Sequence, residues 1–272
     1  RLAIDFVDLH SHSSFSILDG HPDPEAIASK AVQLGRRAHA ITDHGSISGH
    51  VAYERAVRGM KQVGYRGYHS KFKETGEDLA LVPIYGLEAY TVHDVKIRDE
   101  STRVKNHLTV LAKNATGYQN MLQLVTRSWD EGFYYRQTID GQMLADGPEG
   151  LIVLSGCENS SFMRAVAQGD YERAKKIAMG LRSVFADDFY IEVQHFPHAS
   201  EKNALGWQIA EELGIKTVLT CDSHYLEPDG WKYQQFLWSV RDRKPIEHDS
   251  FKIEYAYLWD PEDLFAFCQA QQ

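Results

Sequence analysis

Short β-branched or apolar runs alternate along this chain with stretches whose apolar residues recur at helical spacing, the mark of βα units around a parallel sheet. Seven runs read as strands: Asp5 to His10, His39 to Asp43, Leu81 to Tyr90, His107 to Ala112, Leu151 to Ser155, Phe189 to Gln194 and Thr217 to Cys221. The helices between them have legible ends. Asp23 stands as an N-cap with Pro24 next, Ile27, Ala31 and Leu34 share one face, and Gly35 stops the helix. Asp170 and Ser200 repeat this arrangement, the first ahead of Ala174, Ile177, Leu181 and Val184, the second ahead of Leu205, Ile209, Leu213 and the stop at Gly214. Both helices are expected on the outside of the sheet. With no repeat, low-complexity tract or Pro/Gly linker, the pattern predicts a single α/β domain over 1–272. A (βα) barrel and an open doubly wound sheet both fit it.

Composition changes this picture little. The chain has 272 residues, 43% hydrophobic and 25% charged, enough apolar mass for a sizeable core. No apolar run approaches the roughly 18 residues of a membrane span, and the N-terminus lacks the order of a signal peptide, so a soluble, cytoplasmic protein without membrane contact is expected. Cys157, Cys221 and Cys268 are too few and scattered for a disulfide framework. The formal charge of −9 excludes a generally basic nucleic-acid-coating protein, although not a local site that carries its own cations. Thirteen histidines are the one unusual count, and their positions matter more than their number.

The first expected strand ends in Asp8-Leu9-His10-Ser11-His12, and residues two apart in an extended chain point to one side, so His10 and His12 can share a metal. Asp19 follows in the next loop. The second strand ends Thr42-Asp43-His44, the third carries Glu88, the fourth opens with His107, the fifth ends Gly156-Cys157 and the seventh ends Asp222-Ser223-His224. A metal-capable residue thus lies near a strand terminus in six of the seven units, as an α/β barrel with its active site at the C-terminal rim requires. His107 is the exception, sitting at the start of its strand.

These motifs resemble the polymerase and histidinol phosphatase (PHP) family: His10-x-His12 with Asp19-Gly20, Thr42-Asp43-His44-Gly45, Gly86-Leu87-Glu88-Ala89-Tyr90, Asn106-His107-Leu108, Leu154-Ser155-Gly156-Cys157 and Asp222-Ser223-His224-Tyr225-Leu226. Ala112 to Tyr118 and Glu131 to Tyr135 are similar to the PHP domain of the bacterial DNA polymerase III alpha subunit. The resemblance implies a distorted seven-stranded (βα)7 TIM-like barrel binding three divalent metal ions. It implies as ligands His10, His12, Asp19, His44, Glu88, His107, Cys157, Asp222 and His224, all present, with His12, Asp19, His44 and Asp222 serving the chemical step. Some polymerases of the family lack several of these and keep the domain as scaffold, so retention of all nine favours an active hydrolase.

Imidazole, carboxylate and thiolate donors suit zinc, manganese or iron better than magnesium. Three dications would outweigh the charge of Asp19, Glu88, Asp222 and thiolate Cys157, leaving a locally positive pocket that attracts a phosphate diester. The expected reaction is in-line attack on phosphorus by an activated water. Asp8 and Asp43 adjoin ligands and could orient a histidine from behind, or act as surface caps. Cys221 should point into packing.

The resemblance implies a 3′–5′ DNA exonuclease that proofreads for a replicative polymerase, with DNA, a polymerase module or replisome subunits as partners; no polymerase module is read in this chain. A longer segment from Arg58 to Asp78 departs from the family pattern. It carries Arg58, Lys61, Arg66, Lys71 and Lys73 among Tyr65, Tyr68 and Phe72, with no acid from Arg58 through Lys73, as single-strand binding would use. A solvated loop reads the same way. Lys71, Lys73, Tyr135, Arg136 and His195 are the candidate substrate contacts, with His198 and Phe133-Tyr134 beside them. Two other functions remain open: a small-molecule phosphatase of the histidinol-phosphate type, and a non-catalytic structural module of a polymerase.

Overall fold

In a computed structural model, residues 5–62, 80–246 and 253–270 are described. In chain order they form α1 (Pro24–Gln33), β1 (Ala38–Ile41), α2 (His50–Gln62), β2 (Val82–Thr91), β3 (Asn106–Ala112), α3 (Ala115–Asp130), α4 (Gly141–Ala145), β4 (Leu151–Leu154), α5 (Ser161–Ala167), α6 (Tyr171–Phe185), β5 (Phe189–Gln194), α7 (Ser200–Leu213), β6 (Lys216–Thr220), α8 (Trp231–Asp242) and α9 (Pro261–Ala270). The class is mixed α/β, with a six-stranded sheet in the order β1-β2-β3-β4-β5-β6 among the described residues. No helix of the described residues is long and apolar enough to cross a membrane.

The strands are not all parallel, which corrects the sequence expectation. β2 pairs antiparallel with β3, and β3 antiparallel with β4, while β4 with β5 and β5 with β6 are parallel. A parallel neighbour needs a crossover, usually helical, and the link between β2 and β3 holds only the 3-10 turn Glu100–Thr102. The reversal explains the histidine at the wrong end: in this register Tyr90 faces His107, so the start of β3 lies beside the end of β2.

The chain divides into two compact units, Arg1–Asp43 with Ser48–Ile84 and Cys221–Gln272, and His44–Ile47 with Tyr85–Thr220. In the first, the expected strand Asp5 to His10 is not a strand. Its neighbours still hold it: Ala40 N–H donates to Asp8 O (3.0 Å), Thr42 N–H to Ser11 O (2.8 Å) and Ser223 N–H to His10 O (3.1 Å). The next rung is replaced by side chains: the His10 N–H goes to Asp8 Oδ1 (3.3 Å), and Ala40 O accepts from the Ser11 hydroxyl (2.6 Å). α1 is capped as expected, with Asp23 accepting from Ala26 N (2.8 Å), Pro24 in the first turn and Ile27, Ala28 and Ala31 buried. α2 runs on to Gln62, so Arg58 is helical and ion-paired to Glu54; the basic and aromatic segment beyond it, with Lys71 and Lys73, lies outside the described residues.

The second unit has a core of Leu87, Val110, Met121, Val153, Phe162, Ile191 and their neighbours, covered by α3, α5, α6 and α7. α3 opens on an Asn114 cap, and Gly117 lets it approach β4, since a Cβ there would lie 1.7 Å from Gly150 O. Asp170 caps α6 as expected. Ser200 does not cap α7. The 3-10 turn Pro197–Ala199 runs straight into the helix, leaving Ser200 with helical backbone angles, and the cap position falls to Ala199 without a side-chain bond.

Candidate functional site

Five of the nine candidate donors belong to the first unit, and they crowd together. His10 Nε2 lies 3.4 Å and His12 Nε2 3.2 Å from Asp222 Oδ1, while His224 Nε2 lies 3.7 Å from Asp19 Oδ1. The His12 and His224 rings are 4.3 Å apart. His10 and His12 are wholly buried. Asp222 is held in the left-handed region at φ 48, a conformation that costs about 1–3 kcal/mol and gathers at functional sites.

Local chemistry fixes which atoms these side chains present. Ser16 Oγ donates to Asp43 Oδ1 (2.7 Å), because a carboxylate only accepts, and therefore accepts from His12 Nδ1 (3.0 Å). That places the His12 proton on Nδ1 and the lone pair on Nε2, the atom facing Asp222. Asp43 also takes the Ser13 N–H (2.7 Å) and hydroxyl (2.8 Å). Asp8, fully buried, accepts from the backbone of His10 (3.3 Å) and Cys221 (3.1 Å) and from the Ser223 hydroxyl (3.1 Å), tying both donor-bearing segments together. Of the two readings left open for these carboxylates, burial decides against a surface cap: both lie behind the donors. On the far side Asp19 Oδ1 accepts from Trp238 Nε1 (2.5 Å), and Arg241 of the same helix lies 3.7 Å from Oδ2.

Under this cluster runs a second buried chain. Arg36 donates to His39 Nδ1 (3.0 Å), so His39 carries its proton on Nε2 and gives it to Ser11 Oγ (3.0 Å), which donates to Ala40 O (2.6 Å). Burial, then the Arg36 charge, holds His39 well below its ordinary pKa. Cys221 is fully buried, as expected, and burial pushes its thiol well up.

The other four donors belong to the second unit. Glu88, with no exposure, is 2.5 Å from His44 Nδ1 through Oε2 and 2.9 Å from His107 Nδ1 through Oε1. Cys157 Sγ is 3.2 Å from the same Oε1 and 3.4 Å from His107 Nδ1. His44, Glu88 and His107 offer ligand atoms within 4.8 Å of one another. Gly156, at φ 86, delivers Cys157; a Cβ there would meet His107 O at 2.7 Å.

In both clusters lone-pair atoms stand within contact distance, so each close pair must hold either a proton or a cation. The imidazole, carboxylate and thiol donors fit a borderline-soft divalent ion.

Residues 8–196 match the PHP domain. The chain belongs to the PHP family. Among curated relatives of this PHP chain, the DNA polymerase III subunit alpha of Chlamydia muridarum is 31% identical over 89% of this chain and 20% of its own length. That of Borreliella burgdorferi is 34% identical over 92% and 21%, and that of Helicobacter pylori strain 26695 is 28% identical over 95% and 21%. The PHP chain spans about a fifth of the length of these relatives.

Of the candidate substrate contacts, Tyr135 and Arg136 are exposed in the second unit, whereas His195 is 3% exposed against Phe196, leaving little surface for a ligand. His198 is paired with Glu158 (2.9 Å). Sequence reading misses Ser16, Arg36, His39 and Trp238. It also misses Glu192, wholly buried on β5 and accepting from Thr109 (3.1 Å) and Thr220 (2.6 Å). Glu192 has a signal, a lone acid at an alternating position in an apolar strand. The others depend on partners far away in sequence.

Proposed function

We propose that this PHP domain is a metal-dependent phosphoesterase that removes nucleotides from the 3′ end of DNA in company with a replicative polymerase. One observation carries the reading: all nine family-type donors are present, and within each unit they gather around a carboxylate, half-buried Asp222 in one and buried Glu88 in the other. The polymerase association and the DNA substrate rest on the relatives, each a DNA polymerase III subunit alpha. The distorted seven-stranded barrel belongs to the same proposal, with the segment around Asp8–Ser11, bridged at Ser11 to Ser223, as its seventh member.

The nine donors would hold three divalent ions, zinc, manganese or iron, with His12, Asp19, His44 and Asp222 nearest the chemistry. Bound there, such ions supply Lewis acidity toward phosphate oxygens and water. The protein's own part is orientation. Asp43 acts through Ser16 to hold the His12 tautomer, Asp8 fixes the backbone that carries His10, and Trp238 steers Asp19. Burial of Glu88, His10 and His12 keeps bulk water from competing for the donors.

The test is release of mononucleotides from a 3′-mismatched primer with manganese or zinc present, beside hydrolysis of histidinol phosphate. Primer digestion abolished in His12→Ala and absent without metal is the expected result. Hydrolysis of histidinol phosphate alone would make the domain a small-molecule phosphatase, and no turnover of either ester would leave it a structural module.

A further inference from the structure

Beside the Glu88 cluster the second unit carries an aromatic and cationic surface that ordinary packing does not use up. Tyr90 stacks on His44 (5.7 Å between centroids, 17°) and meets His107 edge-on (5.3 Å). The Arg136 guanidinium lies over the Tyr90 ring (5.0 Å) and donates to its hydroxyl (3.0 Å). Next in the chain, Tyr135 is 64% exposed and held at φ 62, with Tyr134 edge-on to it (4.7 Å) and the Arg103 guanidinium over its outer ring (5.3 Å). Lys105 backs the Tyr134 ring (5.2 Å). Trp129 and Phe133, 53% and 45% exposed, lie parallel at 5.4 Å and 12°.

Exposed aromatic rings lose no hydrophobic stabilisation by burial against a flat partner, and a tyrosine pinned in the left-handed region away from the core has no packing reason to be there. Arg103 and Arg136, over the Tyr135 and Tyr90 rings, add phosphate-binding charge beside those two faces. Of the acids near these rings, Asp130 and Glu131 lie exposed between Trp129 and Phe133, Glu131 paired with Arg127 (2.6 Å), and Glu100 pairs with Arg103 at 3.1 Å on the open surface, where such a pair contributes little and yields to a phosphate.

We propose that Arg136, Tyr135, Arg103 and the Trp129–Phe133 pair form a stacking track for several unpaired nucleotides of a single-stranded polynucleotide. The inference deepens the phosphoesterase reading and rests on it for the direction of the strand. It makes the substrate a polymer with unpaired bases, because a duplex offers no free base faces and a mononucleotide could fill only one step of the track.

Affinity of the metal-stripped protein for a fluorescein-labelled oligothymidylate of about twelve nucleotides, read by anisotropy, tests this without turnover. Arg103→Ala with Arg136→Ala should weaken binding and flatten the salt dependence by about 1.4 in the log–log slope, at roughly 0.7 for each phosphate no longer neutralised. Trp129→Ala should cost about fivefold or more, and Trp129→Phe should restore most of it. Unchanged affinity and slope in variants with native melting curves overturns the proposal, as does equal affinity of the unaltered protein for blunt duplex, or no binding at all. Tight single-strand binding without release of nucleotides on adding manganese would sustain the track and sink the phosphoesterase reading instead.

Discussion

The hydroxyl of Ser16 stands 3.0 Å from His12 Nδ1 and settles which ring nitrogen of that histidine faces Asp222. Ser16 can accept from His12 only because Asp43 takes its own proton, so a serine and an aspartate outside the nine candidate donors govern one of them. Ser16→Ala should lower metal affinity by roughly 10- to 100-fold, the usual cost of losing such support, with little change in melting of the metal-free protein. Isothermal titration with manganese reads the first and a thermal scan the second; equal affinity in the variant refutes the relay.

Asp19 poses the same question from α8. Its hydrogen bond from the Trp238 indole is to a charged acceptor, a class that contributes about 1.5–3 kcal/mol. Trp238→Phe keeps the ring and removes the N–H. Metal titration of this variant should show one class of ion weakened by about tenfold or more, the others holding; uniform retention of all ions would deny Trp238 its steering role.

The thiol of Cys157 is the soft donor of the Glu88 cluster. Cys157→Ser should therefore reduce zinc affinity far more than manganese affinity. Metal analysis after dialysis against each ion checks it, with a parallel loss of both ions as the contrary result.

His39 gives the stability a pH dependence of defined sign. A base whose folded pKa lies below its unfolded value is neutral in the fold, so the unfolded chain binds the extra proton as pH drops through the ordinary value of 6.5. Its contribution is complete above that value and declines as pH falls below it. Arg36 is the charge that faces the ring, with Asp8 3.8 Å beyond the guanidinium. Urea midpoints of the native protein and His39→Gln, compared from about pH 5 to 8, should converge toward the acid end; a constant gap would exclude His39 as the titrating group.

Much of this architecture is legible in the amino-acid pattern. Alternation of apolar runs locates the six strands of the described residues to within a few positions, since burial imposes its period directly on the sequence, and Asp23 and Asp170 announce their helices because a cap is a local bond. Strand direction is not legible. Nothing in Asn106–Ala112 says which way it runs; the brevity of helix between Thr91 and Asn106 is the one available clue. The nine donors stand out by their motifs. Their supports stay hidden, because Ser16 to Asp43 and Asp19 to Trp238 join residues 27 and 219 positions apart.

The reversed strand β3 makes placement of its histidine independent of the chain that precedes it. Six consecutive pairings with β2 hold His107 opposite Tyr90, so the exposed tip at residues 98–101 can lengthen, shorten or be exchanged without disturbing that donor, while Val92 and Val95 of the same excursion belong to the core. Slippage of the ladder by a single position would instead swing His107 to the opposite face. Sequence variation should therefore be tolerated at the tip of this excursion and punished in the paired segments on either side.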